Sequence, residues 1–344
     1  MILVTGGAGY IGSHVVLALE EAGFAVLVLD NLHHGHREFV SPDLLLTVDL
    51  EDRQGLAALF ARYPIEAVVH MAAFAYVGES VRRPELYYRN NIYGTLCLLE
   101  AMVAADVRTI VFSSTCATYG EPEEIPLSEN HPQRPVNPYG ATKLAVERML
   151  GDFGAAYGLR SVIFRYFNAA GAHPHARIGE DHNPETHLIP LVLDAALGVR
   201  PHVTIFGEDY DTPDGTCVRD YIHVCDLADA HILGLKYLLA GHPSRTFNLG
   251  NGNGFSVRKV IDTVEQVSGQ SVQVRVGARR PGDPAILVGS ASRARQILGW
   301  KPQYPDLETI VATAWNWHRY RFGRQTSGYV PVIVKAQGIP LVGV

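Results

Sequence analysis

The sequence predicts an α/β protein: a doubly wound parallel sheet with helices on both faces, followed by a second, smaller mixed α/β lobe. Three observations predict it. Apolar, β-rich runs alternate with amphipathic stretches through the first half of the chain, and a glycine-rich turn joins the first strand to the first helix. Near Gly171 the character changes, as Pro, His, Asp and Gly accumulate.

The first run, "MILVT", leads into an amphipathic stretch over 11–22. "AVLVLD" is followed by 56–63, "AVVHMAA" by 85–105 and "TIVFSS" by 139–153, and "SVIFRY" closes the series. Strands so continuously apolar are buried on both faces, as parallel strands covered by helices are. Beyond Gly171 helices read at 188–197, 226–240, 256–268, 292–298 and 306–320, with short strands in "VTIF", "TFNL" and "VQVRV". At 344 residues the chain exceeds the commonest single-core size. The expected division is a dinucleotide-binding unit over 1–170, to which about 219–248 returns, and a substrate-binding unit over 171–325. A tail over 326–344 reads as apolar and strand-like.

Composition narrows the function. With 47% hydrophobic residues and no apolar run near the roughly 20 residues of a membrane helix, no spanning segment is expected. "MILVTGGAGYIG" lacks the basic start and small-residue cleavage site of a secretory signal, so a cytoplasmic enzyme is expected. A net charge of −6 without a lysine-rich run argues against nucleic acid, whose nonspecific binding is counterion release by clustered cations. Cys97, Cys116, Cys217 and Cys225 show no C-x-x-C spacing and read as reduced thiols. His173, His175, His182 and His187 crowd "GAHPHARIGEDHNPETH" without a known ligand spacing, so that segment reads as a polar loop and no metal is assigned.

"VTGGAGYIGSH" places Gly6, Gly9 and Gly12 between the first strand and the first helix. Glycines there allow a tight turn, a close approach of backbone to a pyrophosphate, and unpaired helix N–H groups aimed at the anion, the Rossmann arrangement. The second strand ends in Asp30, which can accept from both adenosine ribose hydroxyls and would repel a 2′-phosphate. NAD rather than NADP is therefore expected. Asp49, ending "LLLTVDL", reads either as a contact to the adenine edge or as a plain strand-end aspartate.

"NPYGATK" sets Tyr139 and Lys143 four apart, on one helix face. Lysine is scarce in this chain, so the spacing carries weight. Ser113, Ser114 and Thr115 end a buried strand at the carboxyl edge of the sheet, where such sheets place their ligands. A phenol titrates near 10, and base work near neutrality asks for roughly 4 kcal/mol of help. An ammonium about 5 Å away at an effective dielectric of 20 supplies roughly 3 kcal/mol, and a nicotinamide cation would add to it. Tyr139 is thus expected to be a general base with a lowered pKa, Lys143 to hold the cofactor ribose, and Thr115 to bond the reacting oxygen.

With these motifs the chain resembles the extended short-chain dehydrogenase/reductases, and within them the bacterial UDP-glucose 4-epimerase family. The likeness runs from Met1 to about Phe322 and rests on "TGGAGYIGSH", "LDNL", "VGESV", "YYRNNIYGT", "NPYGATK", "RYFNAAGAHP", "GTCVRDYIHVCDLADAH" and "NLGNGNGFSV". It implies a tightly held NAD that takes hydride from C4 of a UDP-hexose. The 4-keto sugar then turns and receives the hydride on its other face, which interconverts UDP-glucose and UDP-galactose. It adds Tyr10, Ile11, Asn31, Leu50, Met71, Ala72, Asn91, Ser113 and Phe167 to the cofactor site. It assigns substrate contacts to Asn168, His187, Leu188, Phe206, Arg219, Arg280, Asp283 and Leu287. Arginines suit a diphosphate through bidentate, charge-assisted bonds, and a carboxylate suits ribose or sugar hydroxyls. The helices over 85–105 and 139–153 resemble those of a four-helix homodimer interface in this family.

Some positions depart from that pattern. Ala75 stands where many members have lysine, and Thr186 and His187 replace an Asn pair. Leu287 is smaller than the tyrosine that can limit the hexose pocket, so N-acetylated hexoses are a further expectation. A 4,6-dehydratase needs an Asp-Glu pair straight after the threonine, where this chain has Cys116 and Ala117. A UDP-glucuronate epimerase or decarboxylase, and an NAD-binding protein without turnover, are the other readings.

Overall fold

A seven-stranded parallel sheet organises the chain, with the strand order β11-β6-β5-β4-β1-β2-β3. Its first half runs β1 (Ile2–Thr5), α1 (Tyr10–Glu21), β2 (Val26–Asp30), β3 (Leu45–Thr47), α2 (Arg53–Arg62), β4 (Ala67–His70), α3 (Val77–Arg82) and α4 (Pro84–Tyr87). Then come α5 (Gly94–Ala104), β5 (Thr109–Thr115), α6 (Pro138–Tyr157) and β6 (Arg160–Tyr166). After β6 the chain builds β7 (Asn168–Ala170), α7 (Leu188–Ala196), β8 (Val203–Phe206), β9 (Val218–Arg219), β10 (Tyr221–His223) and α8 (Val224–Leu239). Only then does it add β11 (Arg245–Leu249), followed by β12 (Phe255–Ser256), α9 (Val257–Ser268), β13 (Val274–Gly277), β14 (Ile286–Leu287), α10 (Ser292–Leu298) and α11 (Leu307–Gly323). The computed structural model describes residues 1–280 and 282–323, so the tail expected over 326–344 lies outside the described residues.

The central strands are buried at every position, and mostly apolar, because both faces are covered. Successive side chains alternate, so Ile2 and Val4 join α1 and α8 in one core layer while Leu3 joins α2, α5 and α6 in the other. Each layer is nearly water-free, and burying one such Val or Leu side chain contributes about 1.5–3 kcal/mol. A smaller core, holding Leu193, Val203, Val260, Val264, Ile310 and Val311, gathers α7, α9 and α11 around short sheets. In those sheets β8 pairs with β13, β7 with β10, and β9 lies between β12 and β14.

Two elements differ from the sequence reading. "TFNL", grouped with the second-lobe strands, is the edge of the main sheet, in register from Arg245 opposite Val162 to Leu249 opposite Tyr166. Its crossover is α8, which packs against α1 and supplies the covering helix that a parallel strand requires. The stretch 85–105 is not one α-helix, because a π-helical segment, Tyr88–Tyr93, separates α4 from α5. That wider turn carries Asn91 inward, 2% exposed. The four cysteines are free, and among the described residues no helix is long and apolar enough to cross a membrane.

Three buried histidines belong to this scaffold. His14, His231 and His318 each donate from Nδ1 to the carbonyl four residues earlier, at 2.8, 2.7 and 3.1 Å. Burial pulls their pKa values down to about 3, 4 and 4. The unfolded rings titrate near 6.5, so below that pH the unfolded chain binds more protons. The stabilisation is whole above pH 6.5 and is lost as pH falls toward 4, by up to about 1.4 kcal/mol per pH unit for each ring. Calorimetry should show Tm nearly level above pH 7 and dropping steeply between pH 6.5 and 4.5, with a shallower drop in His231→Gln. A level Tm across that interval contradicts the assignment.

Candidate active site

The strand order reverses between β1 and β4, and a ligand crevice opens at such a switch point. The glycine turn lies at its mouth. Gly6 has φ +70°, and a Cβ there would stand 2.5 Å from the backbone nitrogen of Ala72, so the turn and the Met71–Ala72 segment meet at backbone distance. A Cβ on Gly12 would stand 2.1 Å from the Gly6 carbonyl oxygen, which is how closely α1 presses on the turn. Gly9 differs, since its nearest neighbour would be 3.4 Å away and its outer side is open. Gly9 also caps α1 without a side-chain acceptor, and no acidic residue occupies the first turn. The positive helix end is therefore free for an anion.

Around that cradle the donors and acceptors suit a dinucleotide. Asp30 is 7% exposed, and its two oxygens accept from Ala8 N at 3.0 Å and Leu32 N at 2.8 Å. Burial pushes its pKa up and those two bonds oppose the push. Each oxygen keeps a lone pair for a hydroxyl. Asn31 donates to Asp49 at 2.8 Å, which holds both side chains at the rim, and Leu50 is buried against Gly94. Tyr10 spends its hydroxyl on the Gly171 carbonyl at 2.6 Å, while Ile11 and Met71 pack on the core. The residues present thus fit NAD: an open phosphate cradle, an anion-favouring helix end left unopposed, and a ribose acceptor fixed by main-chain N–H groups.

α6 begins where its sequence dictates. Asn137 caps it by accepting from Gly140 N at 2.9 Å, Pro138 occupies the first turn, and Gly158 ends it at φ 70°. Tyr139, Lys143 and Glu147 then fall on one face at intervals of four. Lys143 is 4% exposed and donates from Nζ to the Ser113 carbonyl at 2.7 Å, over the face of Phe112 at 4.8 Å. Burial lowers its pKa to about 7 although Glu147 pulls it upward. Lys143 is also felt at His70, the end of β4. Tyr139 reaches Thr115 at the end of β5 closely enough for the threonine side chain to favour the phenolate.

The protein's own groups do not lower the phenol of Tyr139: burial pushes it well above 10, Tyr166 adds to the rise, and Thr115 opposes it. The physical reason is that the Lys143 ammonium is turned to a carbonyl rather than to the phenol. Ser113 is engaged twice, through its carbonyl with Lys143 and through Oγ with Tyr166.

The remaining sites fall into three groups. Arg219 is ion-paired with Asp283, and Arg280 stacks on Phe206 with its guanidinium carbon 3.9 Å from the ring centre, so the ends of β8 and β9 and the turn bearing Arg280 and Asp283 present two cations, a carboxylate and an aromatic face. Asn168, His187 and Leu188 line one cavity together with Tyr221. Phe167 and Leu287 pack with Cys116 and Leu127 beside Thr115. Asn91 has its amide fully used on Phe74, Asn90 and Thr142, so it holds the 74–76 loop to α6.

Sequence reasoning missed the residues that fix this arrangement. Glu147 pairs with Arg165 inside the protein and accepts from Ser114 and Gln133. Thr5, His70 and Thr95 form a buried chain at 2.6 and 2.8 Å from β1 across β4 to α5. Asp220, fully buried, accepts from Asn251, Gly252 and Gly289 N–H groups at 2.8, 3.1 and 3.2 Å. A charged residue inside an otherwise apolar strand or helix face is the signal that would have found Arg165 and Glu147.

A doubly wound sheet with an open glycine turn at its switch point defines a dinucleotide-binding protein. The chain belongs to the NAD dependent epimerase/dehydratase family, whose model matches residues 2–250, and its cofactor is NAD. It is 56% identical over 318 residues to the UDP-glucose 4-epimerase of Halalkalibacterium halodurans, covering 92% of this chain and 95% of that one. Among solved structures, UDP-glucose 4-epimerase from Brucella ovis in complex with NAD superposes with TM-score 0.90 at 47% identity, over 91% of this chain and 97% of the other. The Stenotrophomonas maltophila enzyme with bound NAD and formylated UDP-arabinopyranose gives 0.91 at 41% identity, over 94% and 99%.

Gly12→Ala tests the cradle. Its methyl group meets a main-chain carbonyl, so the substitution should cost about 1–3 kcal/mol and weaken NAD binding at least tenfold, read by calorimetry. Unchanged Tm and NAD affinity would contradict the close approach.

Proposed function

We propose that this chain is an NAD-dependent isomerase that interconverts UDP-glucose and UDP-galactose at C4 of the hexose. The observation that carries the proposal is Lys143, buried on the same face of α6 as Tyr139 and bonded through Nζ to the Ser113 carbonyl at the end of β5, two residues from Thr115. NAD, when bound, supplies reversible acceptance of hydride and a positive charge beside the phenol. Tyr139 takes the proton of the 4-hydroxyl as C4 is oxidised, and Thr115 bonds the same oxygen. Lys143 holds the nicotinamide ribose. Arg219 and Arg280 bind the diphosphate, Asp283 binds hydroxyls, and Phe206 backs the nucleotide. Asn168, His187 and Leu188 wall the other side. The 4-keto sugar turns within this enclosure and is reduced from its opposite face.

The wall at Leu287, packed on Phe167, supports acceptance of N-acetylated hexoses. Turnover of UDP-N-acetylglucosamine is the expected result, and its absence rejects that extension. A cytoplasmic homodimer is the expected form. Tyr88 and Tyr93 stand 50% and 40% exposed on the π-helical segment beside α6, the face the second copy would cover. Sedimentation should show a dimer that Tyr88→Arg with Tyr93→Arg converts to monomer; a wild-type monomer would overturn it.

The activity is tested by incubating purified protein with UDP-galactose, without added NAD, and measuring UDP-glucose. Tyr139→Phe should lose activity by about 100-fold or more while keeping NAD. Turnover of UDP-glucuronate but not of UDP-galactose would favour the rival sugar, and retained NAD with no turnover of either would favour a non-catalytic role.

A further inference from the structure

The segment between β7 and α7 brings together four side chains that the proposed reaction does not require as a set. His187 Nδ1 lies 2.6 Å from Glu180 Oε1 and 3.3 Å from Glu185 Oε1. His182 Nδ1 lies 3.1 Å from Glu180 Oε1 and 3.7 Å from Glu185 Oε2. One donor atom from each of the four falls within 4.8 Å of every other. Zinc bound tetrahedrally at about 2.0–2.2 Å separates its ligand atoms by roughly 3.3–3.5 Å, and the observed spacings bracket that value.

The loop is built rather than draped. The Glu180 side chain is 5% exposed, and its carbonyl accepts from Trp317 Nε1 at 2.8 Å. Asp181 is held by Arg321 and, through its carbonyl, by His36 Nε2 at 2.7 Å. Glu185 is oriented by the N–H groups of Thr186 and His187 at 2.6 and 2.8 Å, the kind of outer support that fixes a metal ligand. A separate observation points the same way. The Tyr76 hydroxyl is buried without a hydrogen-bond partner, and its ring lies edge-on to His182 at 5.8 Å. A buried hydroxyl without a partner costs about 1–3 kcal/mol, and a carboxylate oxygen reoriented by the ion would satisfy it.

We propose that Glu180, His182, Glu185 and His187 form a structural site for a divalent transition-metal cation, zinc by its ligand chemistry. Glu180 and Glu185 favour protons on His182 and His187, and the ion displaces those protons to solvent, leaving two carboxylates to balance the +2 charge beside two imidazoles, a set that suits zinc over calcium or magnesium. Four protein ligands close the coordination sphere, so the ion's task is to clamp. The clamp would tie the loop to the start of α7, where His187 precedes the first turn and Leu188 faces the cavity shared with Asn168. The proposal stands independently of which sugar the enzyme takes.

The test uses the full-length, untagged, NAD-loaded protein, stripped with EDTA and titrated with Zn²⁺ in a calorimeter and with Co²⁺ in a spectrophotometer. One equivalent per chain is expected, with the intense visible bands of tetrahedral cobalt. Glu180→Gln and His182→Ala should each weaken binding by about 100-fold or more. Should Glu180→Gln fail to fold, judged by lost NAD, the partly exposed His182 carries the comparison. Absence of stoichiometric binding, or a His182→Ala protein that binds as tightly as wild type, overturns the site.

Discussion

An ammonium group enclosed by protein has to be held, and at Lys143 the main-chain carbonyl of Ser113 does the holding. That bond pins α6 to the end of β5, and the rest of the cleft follows from it. Tyr139 lies one turn before Lys143 and so arrives at Thr115. Glu147 lies one turn after and so reaches Arg165 on β6. Breaking a buried pair of this kind by removing one partner typically costs 3–5 kcal/mol, so the helix has little freedom to rotate or slide. Three strand ends and one helix face are locked together by groups that share no sequence neighbourhood.

The acid–base state of Tyr139 gains meaning from the same enclosure. Without a cation at its side the phenol is kept neutral by burial. In the proposed reaction the charge arrives with the cofactor, so basicity is conferred only once the dinucleotide and the residue face each other. Coulomb's law makes this plausible in magnitude, since a unit charge near 5 Å at an effective dielectric of 20 is worth roughly 3 kcal/mol. A site tuned this way is inert toward alcohols until it is assembled.

Much of this was legible in the sequence, and the reason is local. The glycine turn, the Asn-Pro start of α6 and the continuous apolar strands are written in adjacent residues, so their periods and caps could be read directly. Family likeness supplied Phe206, Arg219, Arg280 and Asp283, whose gathering depends on loops far apart in the chain. What stayed hidden were pairings across elements. The bond between Lys143 and Ser113, the chain from Thr5 through His70 to Thr95, and the role of Asp220 in holding three backbone N–H groups all depend on register. The turn of Lys143 toward the Ser113 carbonyl was hidden for a related reason: spacing places two groups on one face but does not say which acceptor the ammonium prefers.

The late arrival of β11 bears on how the chain comes into being. Its neighbour β6 is complete at Tyr166, yet everything up to Arg245 must be synthesised before that flank of the sheet is covered. At about 5–20 residues per second the ribosome leaves this border bare for on the order of ten seconds. An uncovered row of main-chain donors and acceptors invites pairing with foreign strands. The nascent protein therefore passes through a window of vulnerability set by its topology, which ends when the last strand docks.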